Sequence, residues 1–361
     1  MNNKNFIFGT STSRSGSSLV TNLLTANKNV LITKDLIHFF RFIYNKYNPI
    51  NSSNNQLRLV KELCLRLKYR NRIILSHQNI FNHFKKINNY SDVLNSINNF
   101  LLSENPGIKI IGESANTEWR NIDNLLNLNK NYKAYQVIRD PRAILSSFKK
   151  LTYAKGYDYL DIIFFWVDAI NCKIDNEKKY DSDRFLSIKF EDIHRSPEIH
   201  AKKLCKFVNV DYDPNMLNTD SWPELINNKY HYVNVSAHSK KKVFGFSEKR
   251  IFEWKKNLDE WEIVLIQYLL KDYLKMLNYE LVDCDQRLLS KGLKILENNK
   301  TLNTNLINFK KNNSGVYARL SDPTKPENWA ASDLSENTKA KFIDTDDYKN
   351  YMKELNDIKC N

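Results

Sequence analysis

The amino-acid sequence predicts an α/β protein with a central parallel sheet flanked by helices on both faces. Three observations carry that expectation. Short apolar runs alternate with longer stretches of helical period over most of the chain. The first such run passes through a glycine- and serine-rich turn, FGTSTSRSGSS, straight into a helical pattern. A later run, AYQVIRDPRAI, ends in a charged turn with a proline placed to open the next helix. In parallel sheets ligands bind beyond the carboxyl ends of the strands, which is where both turns fall.

Taken in order, residues 5–8 read as a strand and 17–26 as a helix with Leu19, Val20, Leu23 and Leu24 on one face. Residues 35–47 (DLIHFFRFIYNKY), 56–69 and 92–102 follow as helices, then 108–111 and 134–138 as buried strands. Asp140 caps a helix through Lys150, and residues 157–178 form a long, richly apolar helix. A strand at 184–190 precedes a helix opened by Ser196-Pro197 and running to Val208, and 259–277 is the last strong helix. Past about residue 283 the pattern weakens into Asn/Lys-rich sequence. The expected organisation is one domain over 1–283 and an accessory, partly ordered extension over 284–361.

With 42% hydrophobic and 27% charged residues, the 361-residue chain has a soluble globular balance and material for a core. Lys and Arg number 55 against 41 Asp and Glu, a net charge of +14. That excess points to an anionic partner, although the abundance of Asn, Lys and Ile is what AT-rich coding also produces. The five cysteines are scattered without CxxC spacing, and the seven histidines are dispersed. Neither a disulfide framework nor a metal site is expected. No charged-then-apolar leader opens the sequence and no run of 18 apolar residues occurs, so no membrane span and a cytoplasmic location are expected.

The first turn has the chemistry of an anion cradle. A strand entering a helix through a glycine turn gathers backbone N–H groups and a helix N-terminus at one spot. Gly9 and Gly16 permit the curl, Ser17 and Ser18 add hydroxyls, and Arg14 adds a permanent charge. Six residues separate the glycines and Ser17 stands where the GxxxxGK[ST] loop has lysine, which disfavours an ATPase. A serine-rich turn holding nothing is the plain alternative. The second turn places Arg139 at a strand end and Ser147 eight residues on, with Arg142 between them to help frame a second phosphate. Its plain alternative is a capped helix with a surface arginine.

Together and in this order, the two segments resemble the sulfotransferase family, including its carbohydrate/heparan-type and tyrosylprotein-type members and with a bacterial-like character. RSGSS (residues 14–18) is similar to the family's phosphosulfate loop, and RDPR with Ser147 to its 3′-phosphate segment. The resemblance extends through residues 185–210 and 245–258, and so spans about residues 5–280. It implies the sulfotransferase fold, whose central parallel sheet is like that of P-loop NTPases. It also implies transfer of the sulfuryl group of 3′-phosphoadenosine 5′-phosphosulfate (PAPS) to a hydroxyl or amine, releasing 3′-phosphoadenosine 5′-phosphate (PAP), with no metal. The acceptor so implied is carbohydrate-like or another small molecule, a glycan or glycolipid among them.

By the same resemblance Arg14, Ser15, Gly16, Ser17, Ser18, Arg139, Ser147, Ser247 and Arg250 bind the nucleotide, and Arg14 also stabilises the leaving phosphate. Trp254 and the basic stretch 240–250 are similar to a loop that closes over it. Glu113 in IKIIGESANTEW is similar to a heparan-type general base, but Ser114 follows where lysine is usual, leaving one expected positive charge unaccounted for. Asp35 in VLITKDLIHFF is the alternative base, near the Glu-Glu of tyrosylprotein sulfotransferases, with Lys34 replacing the first acid and His38 a third option. Two other readings compete: a P-loop kinase using ATP, and a non-catalytic binder of acidic glycan or nucleic acid resting on charge alone. No nucleic-acid-reading motif is present, so no nucleic-acid partner is expected.

Overall fold

A computed structural model of the chain describes residues 5–71, 73–150, 156–220, 222, 245–318 and 345–360. Five strands form one parallel sheet: β1 (Ile7–Ser11), β2 (Val30–Lys34), β3 (Ile110–Ser114), β4 (Lys133–Ile138) and β5 (Phe185–Lys189). Their spatial order is β2-β3-β1-β4-β5, so β1 is central and the chain leaves it in both directions. The alternating strand positions divide the core by face. Phe6, Phe8, Leu31, Ile111 and Ala134 point to one side, under α2 (Ser53–Asn71), α4 (Tyr90–Ser103), α5 (Ile122–Leu128) and part of α7 (Ile162–Lys179). Ile7, Val30, Ile32, Ile110, Tyr135, Val137, Leu186 and Ile188 point to the other, under α1 (Ser17–Thr25), α8 (Phe190–Arg195) and α9 (Pro197–Val208). The expected α/β architecture is the observed one.

Short α3 (His77–Phe81) lies in the β2–β3 crossover, and α6 (Pro141–Lys149) follows β4. A third apolar cluster gathers α6 and α7 with α10 (Trp254–Asn257), α11 (Glu260–Met276), α12 (Leu289–Asn298) and α13 (Lys300–Asn312). Helix α14 (Thr345–Cys360) lies on α2, with Tyr351 and Leu355 packed against Leu65 and Tyr69. The weak pattern past residue 283 thus conceals three helices. They form because a few leucines, Leu296, Leu302 and Leu306 among them, bury completely against existing surface. Residues 313–318 then run back over α7, where the Val316 N–H donates to the Phe164 carbonyl at 3.0 Å. A Cβ on Gly315 would come within 2.0 Å of the Asp168 backbone, so only glycine fits there.

The helix expected over 35–47 is not there. Asp35, His38 and Asn45 adopt left-handed backbone (φ 50°, 47° and 59°), and only a single wide turn, Phe39–Ile43, is helical. The physical reason lies in the partners of its backbone. The buried Glu113 carboxylate accepts the N–H groups of Ile37 and His38 at 2.6 and 2.7 Å, and Arg66 donates to the Ile37 carbonyl at 2.6 Å. Those bonds replace intrahelical ones, while Phe39, Phe40 and Ile43 still reach the core. The preceding strand β2, where the sequence reading assigns no element, pairs with β3 along its whole length.

Candidate functional site

The opening loop joins β1 to α1 at the carboxyl edge of the sheet. Arg14 (φ 70°) and Gly16 (φ 91°) are both left-handed, a curl of the kind that forms anion-binding concavities, and the Ser15 N–H between them donates to the Thr12 carbonyl at 3.2 Å. Gly16 is the N-cap of α1 and supplies no capping side chain, so the helix N-terminus opens onto that concavity. The site tolerates no larger residue, because a Cβ there would lie 2.3 Å from the Phe190 ring. The serine hydroxyls divide their roles. Ser15 Oγ is buried without a hydrogen-bond partner, whereas Ser17 Oγ donates to Asn116 Oδ1 at 2.8 Å. Ser18 Oγ accepts from Lys34 Nζ.

On the β4 side the expected residues converge. Arg14 Nε donates to Ser147 Oγ at 2.9 Å, and Arg139 Nη1 donates to the Arg14 carbonyl at 3.0 Å. The Arg139 guanidinium rests 4.1 Å over the Phe190 ring, its Nη2 reaches the Arg250 carbonyl at 3.4 Å, and its Nε is buried with no partner. Ser247 arrives through its N–H, which donates to His194 Nδ1 at 3.1 Å, while its Oγ caps the turn Glu248–Arg250. Burial, and next the neighbouring Arg139, pull the Arg14 pKa down to about 10. Burial likewise lowers Arg139, against the pull of Glu191. His194 is held neutral, at about 4, by burial and then by Arg250 and Arg139. Two guanidiniums crowded in this way favour an anion between them.

Arg142 and Trp254 do not join the site. Arg142, 1% exposed, grips Asp140 with Nε and Nη2 at 2.9 and 2.7 Å and donates to Gln267 at 3.0 Å. It stacks 4.1 Å over Trp254, itself 2% exposed, so the Trp is a core platform for an arginine. This corrects the expectation that Arg142 frames a phosphate and that Trp254 closes over a nucleotide. The basic residues 240–242 lie outside the described residues.

On the opposite side of β1 stand the acids. Glu113, wholly buried in β3, has its pKa raised to about 7 by burial even though it accepts backbone N–H bonds. Asp35, at the end of β2, keeps 37% of its side chain exposed and faces His38 at 3.9 Å. Lys34 beside it is register partner to Ser114. Its pKa is lowered, chiefly by burial, with Asp35 pulling the other way and Arg14 adding to the fall.

A third acid, Glu118, was not singled out by sequence. It is 1% exposed, accepts from Asn121 Nδ2 at 2.5 Å, and its Oε1 has no partner. Burial, outweighing the Asn121 bond, raises its pKa to about 7 from an ordinary 4.5. Between those pH values the folded protein keeps a proton that the unfolded chain releases, so stability is lost as pH rises through 7. Glu118→Gln removes this term. In urea denaturation the variant should be more stable than the parent by about 1–2 kcal/mol at pH 8, and the difference should vanish near pH 4.5.

Among the described residues no group of three His, Cys, Asp or Glu side chains is placed to hold a metal, and no helix is long and apolar enough to cross a membrane. An α/β sheet with a glycine-containing turn at its central strand, arginines on one side and carboxylates on the other, places a polar ligand site at the carboxyl ends of its strands. The sequence profile described as the sulfotransferase family matches residues 6–214, more than half of the chain, and the chain belongs to that family. Similar solved structures include the sulfotransferase domain of the Synechococcus PCC 7002 olefin synthase, at 19% identity over 71% of this chain and 88% of that one, TM-score 0.48. The sulfotransferase domain from the curacin biosynthetic pathway is 15% identical over 76% of this chain and 98% of that one, TM-score 0.49. Mouse sulfotransferase SULT7A1, solved with PAP, is 11% identical over 74% of this chain and 84% of that one, TM-score 0.38. No curated protein matches the chain.

Proposed function

We propose that this protein transfers the sulfuryl group of PAPS to a hydroxyl of an acceptor and releases PAP. The observation that carries the reading is the meeting of Arg14, Arg139 and Ser147 beside the N-terminus of α1, through bonds of 2.9 and 3.0 Å. A doubly phosphorylated nucleotide matches that arrangement: amides of the loop at its 5′ end, and arginine with serine at its 3′-phosphate. Ser247 and Arg250 would border the same nucleotide from the late loop. Sulfuryl transfer, like phosphoryl transfer, then needs little beyond alignment and stabilisation of charge on the departing phosphate.

The acceptor enters from the β2/β3 side, where the carboxylates lie. Of the two carboxylates among the candidate bases, Asp35 is favoured by reach, since it is the exposed one, while Glu113 is enclosed and holds the backbone of residues 37–39. The net charge of +14 supports an anionic acceptor such as an acidic carbohydrate.

The test is thermal. PAP at millimolar concentration should raise the melting temperature by several degrees through preferential binding to the folded state. Arg14→Ala should remove most of that rise, and no rise with the unaltered protein would refute the assignment. ATP with magnesium, the ligand of the competing kinase reading, should leave the melting temperature unchanged.

A further inference from the structure

We propose that His194 is a positioning residue for the donor: its imidazole holds the late loop, residues 245–250, so that Ser247 and Arg250 face the 3′-phosphate half of the cleft. This deepens the function proposed above and rests on it. His194 is a buried ring that packing alone does not explain. It lies near the end of α8, is 4% exposed, and sits between the rings of Phe190 and Phe246, at 4.4 and 6.0 Å between centroids. A phenyl ring suits such surroundings better, because the imidazole Nε2 is buried there with no hydrogen-bond partner.

What the imidazole adds is one acceptor. Its Nδ1 accepts the Ser247 N–H at 3.1 Å, which fixes the tautomer with the hydrogen on Nε2. Only a neutral ring can accept at that position. Burial, and then Arg250 and Arg139, hold its pKa down at about 4, so the acceptor is present at neutral pH.

That single bond is made where the loop turns towards Arg139. From Ser247 the chain forms the turn Glu248–Arg250, in which the Arg250 N–H donates to the Ser247 carbonyl at 3.2 Å. The Arg250 carbonyl accepts from Arg139 Nη2 at 3.4 Å, and the Arg139 guanidinium lies over the same Phe190 ring that His194 meets edge-on. Earlier contacts fix where the loop arrives: the Gly245 N–H donates to Thr219 Oγ1 at 2.7 Å, and Phe246 meets the Trp222 ring at 6.1 Å. The His194 bond then fixes how the turn is presented to Arg139. His194 itself touches no reacting atom and moves no proton. It acts by holding in place, before the donor arrives, groups that the donor otherwise has to order.

The experiment compares PAP with adenosine 5′-phosphate, which lacks only the 3′-phosphate, in calorimetric titrations of the full chain at neutral pH. His194→Phe should weaken PAP about 10-fold or more, the loss of one hydrogen bond to a charged group, and adenosine 5′-phosphate by no more than about threefold. His194→Asn, whose Oδ1 stands in for Nδ1, should keep PAP within about threefold of the parent. In circular dichroism the phenylalanine variant should melt no lower than the parent, the reverse of what a purely structural role gives, and His194→Leu serves should phenylalanine not fold. If the preference for PAP over adenosine 5′-phosphate survives without the acceptor, or asparagine does not restore it, the assignment of His194 is overturned and the proposed function stands. Both apolar variants melting several degrees below the parent overturns it equally. If the parent binds neither nucleotide, or binds the two alike, the proposed function falls and this inference with it.

Discussion

Arg139→Ala should cut the affinity for PAP by about 100-fold or more, the loss of two hydrogen bonds from a guanidinium to a phosphate at about 1.5–3 kcal/mol each. Arg139 is suited to that role by what it lacks. Its neighbours occupy Nη1 and Nη2 with carbonyls, not carboxylates, and its Nε has no partner. The guanidinium is therefore oriented without being neutralised by contact. Arg139→Lys should recover only part of the loss, since an ammonium cannot reproduce the planar fork. The apo protein should melt within a few degrees of the parent, because Glu191, the buried acid that feels Arg139, keeps its bonds from the Asp140 N–H and the Tyr279 hydroxyl. Calorimetry with PAP decides it: an affinity within threefold of the parent would place the 3′-phosphate elsewhere.

Arg142→Ala, three residues along, should do the reverse and cost about 3–5 kcal/mol of stability. Its guanidinium is enclosed between Asp140, Gln267 and the Trp254 ring, and Asp140 is 4% exposed. Removing the arginine leaves an enclosed carboxylate without its partner and a hole under the tryptophan. The melting temperature should fall by about 10 °C in circular dichroism. Combining Arg142→Met with Asp140→Asn should recover more than half of the loss, since asparagine keeps the cap on α6 and no charge remains. A single variant as stable as the parent would contradict the enclosure described here.

Those two arginines show what sequence can and cannot tell. RDPR announces a strand end, a capped helix and two guanidiniums, and all are present. Which arginine faces the cleft depends on Glu191, Gln267 and Trp254, residues far along the chain that local pattern does not connect to it. The Arg14 loop was legible only in part: Gly16 does take the left-handed turn, but Gly9 lies inside β1 against the Tyr135 ring instead of in the curl, and Arg14 supplies the other left-handed residue. The segment 35–47 misled for a related reason: its apolar spacing is helical, but its backbone is held by Glu113 and Arg66 from outside. Lys34 read as a departure from an acidic motif, and Ser114 as a missing lysine. Only the β2–β3 register puts the two at one level, which local pattern does not reveal. Helices α12, α13 and α14 were hidden by polar composition, since each is held by a few leucines and tyrosines on surfaces formed by earlier elements.

The central position of β1 has a consequence for how such an enzyme changes its specificity over time. The stretch between β2 and β3, residues 35–109, is one excursion from the edge of the sheet, and Arg14 and Arg139 lie outside it. It brings its own Arg66 to steady the turn at Ile37, takes the Glu113 carboxylate from β3, and meets the rest of the chain at Tyr132 and, through α2, at Glu354. On the proposed function, variation within that excursion changes the acceptor side of the cleft and leaves Arg14, Arg139 and Ser147 in place.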